Sequence, residues 1–232
     1  MSIADNVKRV YENIAVAALR AGRRPEDITL AAASKMNSAD RVREAFEGGI
    51  RVFGENRVQE MTEKNALGAY EGAELHFIGH LQRNKVKNVV GVCSLIHSVD
   101  SEELARECAR RAAALGIEQD ILIEVNIGGE ASKSGAEPAR IDELISYCST
   151  LGGAVKVAGL MAIPPFDASM EETRRYFEQM YQLFVDMRSK KYDNVSMHAL
   201  SMGMSGDYAE AILAGANIVR VGTAIFGERH YS

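Results

Sequence analysis

Cysteine and proline are scarce, with three and four residues respectively in a chain of 232. Cys93, Cys108 and Cys148 lie far apart, which supports neither a disulfide framework nor a zinc ribbon. No low-complexity run and no Pro/Gly/Ser-rich linker divides the chain, so one domain over residues 1–232 is expected. No stretch approaches the roughly 18 consecutive apolar residues that a membrane span needs. The opening Met1-Ser-Ile-Ala-Asp-Asn-Val-Lys-Arg9 lacks the apolar core of a signal peptide. Positive charge is not in excess either: 27 basic against 32 acidic residues give −5 with histidines neutral. That excludes a nucleic-acid or acidic-membrane binder held by bulk electrostatics, and leaves room only for a local basic patch. The expectation is a soluble protein of a reducing compartment, the cytoplasm.

What is present is ordinary globular composition, 47% hydrophobic and 25% charged, which rules out disorder. Short apolar runs alternate with longer amphipathic stretches. The candidate strands are Ile28–Ser34, Arg51–Phe53, Leu75–Ile78, Ser94–Ser98, Asp120–Asn126, Val155–Ile163, Val195–Leu200 and Ile218–Val221. Helical patterns fill the gaps: Ala39–Glu47, Arg57–Leu67, a short one near Arg83–Asn88, Ser101–Leu115, Pro138–Thr150, Met170–Arg188 and Ser205–Ala214. A further helix, Ile3–Ala21, precedes the first strand. Ser38 and Asp100-Ser101 stand where helices should start, and Gly22, Gly48, Gly116 and Gly215 where they should stop.

Repeated strand–helix order implies parallel strands, because only a crossover returns the chain in the same direction. Asp120-Ile-Leu-Ile-Glu-Val-Asn126 is too continuously apolar for a sheet with one wet face. Eight units of roughly 25 residues sit at the lower end for a (β/α)8 barrel. An open doubly wound sheet is the competitor; the regularity of the units favours closure.

A barrel places its chemistry at the carboxyl ends of the strands, with phosphate sites commonly after strands seven and eight. Strand seven runs into Leu200-Ser-Met-Gly-Met-Ser-Gly-Asp207, and strand eight into Gly222-Thr223-Ala-Ile-Phe-Gly227. Small residues and hydroxyls ahead of a helix start expose the N–H groups that an anion needs. Singly, Ser205 is explained as a helix cap and Gly222 as a turn; together they point to a phosphate-bearing ligand. Lys35 follows the first strand, Ile28-Thr-Leu-Ala-Ala-Ala-Ser34. An amine at an apolar mouth loses hydration and becomes a nucleophile toward carbonyls. An ion pair with Glu55 or Glu124 is the plainer role. An aldehyde that carries a phosphate would engage both Lys35 and the opposite loops, and pyridoxal 5′-phosphate is such a molecule. Alternation sets Arg220 opposite Val219 and Val221. A guanidinium inside a barrel needs a partner, either a carboxylate or the pyridine nitrogen of that cofactor. A pyridine facing arginine stays unprotonated and is a weak electron sink.

Several segments together resemble a known family. They are Ala33-Ser-Lys35, Phe53-Gly-Glu-Asn-Arg-Val-Gln-Glu60, His76-Phe-Ile-Gly-His-Leu-Gln-Arg-Asn-Lys85, Gly159-Leu-Met161, Leu200–Asp207 and Val219–Gly227. Their order and spread over nearly the whole chain resemble the pyridoxal phosphate homeostasis protein family, a single-domain relative of the alanine racemase amino-terminal barrel. The resemblance implies a (β/α)8 barrel with Lys35 as the Schiff-base lysine. It places Ser201, Ser205, Gly222 and Thr223, with backbone amides near Met202, around the phosphate. Arg220 would face the pyridine nitrogen, and Asn56 would lie beside the cofactor; from its residues alone Asn56, with Gln59, reads as a helix cap.

Racemisation needs proton donors and acceptors on both faces of the cofactor. In two-domain racemases the opposing tyrosine comes from a partner's extra domain, which this chain, ending at Ser232, is expected to lack. The resemblance therefore implies a monomeric binder that stores, buffers or delivers pyridoxal phosphate, with cofactor-dependent apoenzymes as recipients, and no efficient catalysis. A small racemase or lyase using the same imine is the alternative. His76, His80, His97 and His198 raise a metal-dependent hydrolase, but no His-x-His or His-Glu-x-x-His pattern supports it. The basic cluster Arg83-Asn-Lys-Val-Lys-Asn88 reads as a solvated helix face or a docking site. Glu130-Ala-Ser-Lys-Ser-Gly135 belongs to the family pattern and reads as a lid or a looser ligand site bearing Lys133. Met161, Met202 and Met204 read as packing near the cofactor or as core filling.

Overall fold

A computed structural model describes residues 2–130 and 134–228; Lys133 lies outside the described residues. Helix α1 (Ile3–Arg20) leads into β1 (Thr29–Ala33), α2 (Ala39–Glu47), β2 (Val52–Glu55), α3 (Val58–Ala66) and β3 (Glu74–Phe77). A 3₁₀ segment, Arg83–Asn88, then precedes β4 (Leu95–Val99), α4 (Glu102–Leu115), β5 (Gln119–Val125) and α5 (Ile141–Ser149). The chain continues through β6 (Val155–Ala162), α6 (Met170–Ser189), β7 (Val195–Ser201), α7 (Tyr208–Leu213), β8 (Ile218–Val221) and the short α8 (Thr223–Phe226). Strands β1 to β8 pair in sequence order, all parallel, and β8 closes on β1. Closure removes both sheet edges, so the open-sheet alternative is set aside.

Every expected strand forms within two residues of its expected bounds. Ser38 caps α2 through its side chain, and Gly116 ends α4 in the left-handed conformation. Gly48 stops α2 in an ordinary right-handed geometry; the positive φ there belongs to Gly49. Two helices differ. Ser205–Ala214 shortens to Tyr208–Leu213, because Ser205–Asp207 form a turn closed on the Met204 carbonyl, from which the Ser205 hydroxyl reaches the β8 loop. The Pro138 end opens as a 3₁₀ turn before α5. Helix α8 was not anticipated, since four residues give no periodic signal.

Two apolar cores result from the alternation of side chains across each strand. The larger fills the space between barrel and helices. The smaller, with Ala31, Leu95, Leu122, Ala158, Met161, Ala199 and Ile218, fills the barrel's own axis. Three of the seven are alanines, and His76, His97, Glu124, Ser201 and Arg220 are buried as well. Gly159 is obligatory in the wall: a Cβ there would stand 1.7 Å from the Ala199 carbonyl oxygen. The thiols of Cys93, Cys108 and Cys148 are free and buried, and burial pushes each up to about 12. No helix of the described residues is long and apolar enough to cross a membrane.

Candidate functional site

The carboxyl ends of β1 and β8 meet at a cavity of about 310 Å³, within the range of small-ligand pockets. Lys35, Asn37 and Arg41 line one side, Gly222, Thr223 and Phe226 the other. Parallel register explains the meeting. Ala31 pairs with Arg220 and Ala32 with Val221, so Ala33 lies across from Gly222. A Cβ on Gly222 would come within 3.3 Å of the Ala33 carbonyl oxygen. The missing side chain keeps the passage to Lys35 open.

The backbone around Lys35 is fixed from outside the barrel by a buried ionic cluster that sequence reasoning missed. Lys64 Nζ donates to the Ser34 carbonyl at 2.7 Å and to Glu55 Oε1 at 2.7 Å, and pairs with Glu60 at 2.7 Å. Glu55 Oε1 also accepts from Ser34 Oγ at 2.6 Å and from Tyr70 Oη at 2.8 Å. Burial, then the facing Glu55 carboxylate, drives the Tyr70 phenol far up, so it remains a donor. On the other flank, Met36 adopts φ 62° and its N–H donates to Glu60 Oε1. A left-handed methionine costs of order 1–3 kcal/mol, and this bond helps to hold it. Lys35 therefore springs from a turn pinned at both neighbours. Its sequence signal was only an acidic and a basic residue on α3, indistinguishable from a solvated pair until the fold buries them.

Glu55, once considered as a partner for Lys35, is thus committed to Lys64. Glu124 accepts from Ser134 Oγ at 2.7 Å while its Oε2 stays buried without a partner among the described residues. Burial raises the Glu124 carboxyl above the usual range.

Arg220 is almost wholly enclosed, one layer below the cavity. Its Nη1 donates to Ser201 Oγ at 2.5 Å and its Nη2 to the Ala162 carbonyl at 2.9 Å. Burial lowers it to about 10, against the opposing pull of Glu124 and Asp207, so it stays cationic at neutral pH. Ser201 consequently faces the barrel interior beside Arg220. The Met202 amide is engaged by the Ile218 carbonyl at 3.1 Å, and its side chain packs in the core. Ser205 does not cap α7; Asp207 holds that position, and its carboxylate accepts from the Met204 N–H. The Ser205 hydroxyl oxygen accepts from the Gly222 and Ala224 amides at 3.1 and 3.3 Å. Those amides form a small donor cup above the β8 end, and the Ser205 hydroxyl proton is left to point out of it.

Asn56 stands at the β2 end, with its Oδ1 buried and unpartnered among the described residues. Gly79 packs against it so closely that a Cβ would lie 2.1 Å from the Asn56 carbonyl oxygen. The structure thus joins Lys35, Gly222 and Thr223 around one cavity, with Ser205 attached through the Gly222 amide. Arg220 and Ser201 lie beneath, and Asn56 stands at the mouth. Arg41 completes the wall; its guanidinium donates to Asn37 Oδ1 at 2.9 Å and to the Phe226 carbonyl. Sequence reasoning overlooked it because an arginine in a helix's first turn carries no distinctive pattern. His80 and His198 are exposed and apart, whereas His76 and His97 touch inside the barrel. No group of three His, Cys, Asp or Glu side chains among the described residues is placed to hold a metal ion. Arg83, Lys85 and Lys87 are exposed on their 3₁₀ segment.

Residues 6–230 match the family model of the alanine racemase N-terminal domain. A pyridoxal phosphate homeostasis protein of Aquifex aeolicus is 46% identical over 231 residues, covering all of both chains. One from Escherichia coli is 42% identical over 234 residues, covering 99% of this chain and 98% of that one. Among solved structures, PipY of Synechococcus elongatus with PLP bound superimposes with a TM-score of 0.83 at 34% identity, covering 97% of this chain and 100% of that one.

Proposed function

This chain belongs to the pyridoxal phosphate homeostasis protein family, within the wider family of the alanine racemase N-terminal domain. On that premise we propose that it binds pyridoxal 5′-phosphate through Lys35 and acts as one barrel domain that stores, buffers or hands on the cofactor. The carrying observation is that Lys35, Gly222 and Thr223 line one cavity at the carboxyl end of β8, the strand that carries the buried Arg220 two residues before Gly222. The residues fit each part of such a ligand. Lys35 offers a primary amine in a cavity of mixed lining, with Ala33, Met36 and Phe226 beside Asn37, Arg41 and Thr223. The Thr223 hydroxyl and the Ser205 hydroxyl offer donors to an anion beside Gly222, whose own amide is held by Ser205, at the place where barrels commonly seat phosphate. Asn56, with its unpaired carboxamide oxygen, can accept from a polar ring substituent. When bound, the cofactor supplies an aldehyde that condenses reversibly with an amine and an aromatic ring that withdraws electrons.

The surrounding residues favour holding over turnover. Arg220 remains a donor and cannot hand a proton to the pyridine nitrogen at neutral pH, which keeps the ring a poor electron sink. Efficient racemisation or lyase chemistry is therefore not expected. The same reading makes the protein a cytoplasmic monomer whose partners, beyond the cofactor, are apoenzymes that receive it.

The decisive experiment is a visible spectrum of the purified protein supplied with pyridoxal phosphate, followed by borohydride reduction and mass mapping. A reduced adduct on Lys35, absent in Lys35→Ala, is the expected result. Protein that gains no adduct overturns the proposal. Sustained turnover of alanine, serine or other amino acids overturns the carrier role.

A further inference from the structure

A line of buried hydrogen bonds runs from Arg220 across the barrel interior to its opposite end. Arg220 Nη1 donates to Ser201 Oγ; Ser201 Oγ lies 3.0 Å from His97 Nδ1; His97 Nε2 lies 3.0 Å from His76 Nδ1. His76 Nε2 is 3.7 Å from Glu74 Oε2, on the wall of a cavity at the amino-terminal floor of the barrel that also includes Asp120, His198 and Asn217. The four linked side chains come from β8, β7, β4 and β3, and each is at most 5% exposed. None of them except Arg220 and Ser201 belongs to the cofactor wall, and the two imidazoles have no part in the reading above.

The proton positions along this line follow from its upper end. A guanidinium has donors only, so Ser201 Oγ must accept from Arg220. The serine hydroxyl proton is then free to point at His97 Nδ1. With Nδ1 accepting, the neutral His97 ring carries its proton on Nε2 and donates it to His76 Nδ1. His76 in turn keeps its proton on Nε2, facing the Glu74 carboxylate. Every bond in this order has one donor and one acceptor. The reversed order would leave the serine proton without a partner in the line and set a bare His76 nitrogen against a carboxylate. Burial favours the uncharged form of both rings, which agrees with this order.

We propose that His97 and His76 are positioning residues for Arg220: through Ser201 they fix the guanidinium in one orientation, so that its remaining N–H donors face the mouth where the cofactor ring nitrogen would lie. The inference rests on the cofactor reading for its functional consequence, but not for its structural content. A guanidinium whose serine acceptor could rotate freely would pivot about its Ala162 contact and meet the ring in several orientations.

The first test needs no cofactor. Nitrogen-15 NMR of the imidazoles at pH 7, assigned with His76→Asn and His97→Asn, should show both rings neutral with the proton on Nε2. An Nδ1–H tautomer or an imidazolium at His97 overturns the hydrogen-bond order. The second test is a titration with pyridoxal phosphate followed by its visible absorbance. His97→Leu removes the acceptor for Ser201, and affinity should fall on the order of tenfold, as for one hydrogen bond to a charged group, with a shifted absorbance maximum. His97→Asn keeps an acceptor where Nδ1 was and should recover most of both. If His97→Leu folds and binds with wild-type affinity and spectrum, or if His97→Asn fails as badly as a folded His97→Leu, the positioning role is wrong. Should His97→Leu not fold, the NMR result and the His97→Asn spectrum decide. Failure of the wild-type protein to form any Lys35 adduct would instead defeat the cofactor reading, leaving the NMR result standing by itself.

Discussion

Acid should destabilise this protein through the two imidazoles inside its barrel. Burial lowers His76 from the ordinary 6.5 to about 4, and burial together with His76 and Arg220 holds His97 well below its usual value. In the unfolded chain both rings return to about 6.5. Between those values the unfolded chain binds a proton that the native protein refuses. The stabilising contribution is therefore fully present above about pH 6.5 and is lost as the pH falls toward the native value. Each ring contributes a slope of about 1.4 kcal/mol per pH unit in that window, so His76 alone accounts for about 3 kcal/mol between pH 7 and 4. Against a total stability of about 5–15 kcal/mol, that is a large fraction. The assay is urea unfolding at several pH values from 4.5 to 6.5, comparing wild type with His76→Asn, which keeps an acceptor for His97 Nε2–H. Carboxylates titrate in both proteins and cancel in the comparison, so the slope should drop by about 1.4 kcal/mol per pH unit in the variant. Equal slopes would refute the reasoning, because they require a native His76 that is hydrated or charged.

Glu55→Ala should cost about 3–5 kcal/mol in urea or thermal unfolding, since it strips Glu55 from the buried Lys64 ammonium; Tyr70→Phe, which removes one donor to the same oxygen, should cost about 1 kcal/mol. Thr223→Val should weaken pyridoxal phosphate binding about five- to tenfold, the worth of one hydrogen bond, with the unfolding midpoint unchanged because the residue is exposed. Gly79→Ala should displace Asn56, whose carbonyl oxygen would stand 2.1 Å from the new methyl; absorbance titration should register lost affinity in a chain whose circular dichroism still shows the barrel.

The local pattern of residues was enough to determine the eight strand–helix units and their parallel sense, because alternation of apolar runs with amphipathic stretches is written along the chain itself. It was also enough to bring Lys35 and the Gly222–Thr223 loop to the same end, since strands one and eight must be neighbours once the sheet closes. Arg220 could be assigned to the interior from the period of two in Ile218–Val221. What surrounds these residues was decided only in three dimensions. Ser201 resembled one more phosphate ligand, yet it turns to Arg220 and to His97, a residue 104 positions away. Glu55 read as a possible partner for Lys35, yet the fold commits it to Lys64 of α3 and to Tyr70, which no local pattern singled out. The physical reason is one of range. Periodicity and caps are properties of neighbours in sequence, whereas a buried polar atom must find its partner wherever the closed barrel brings a donor or acceptor within about 3 Å, and no local pattern encodes which one that will be.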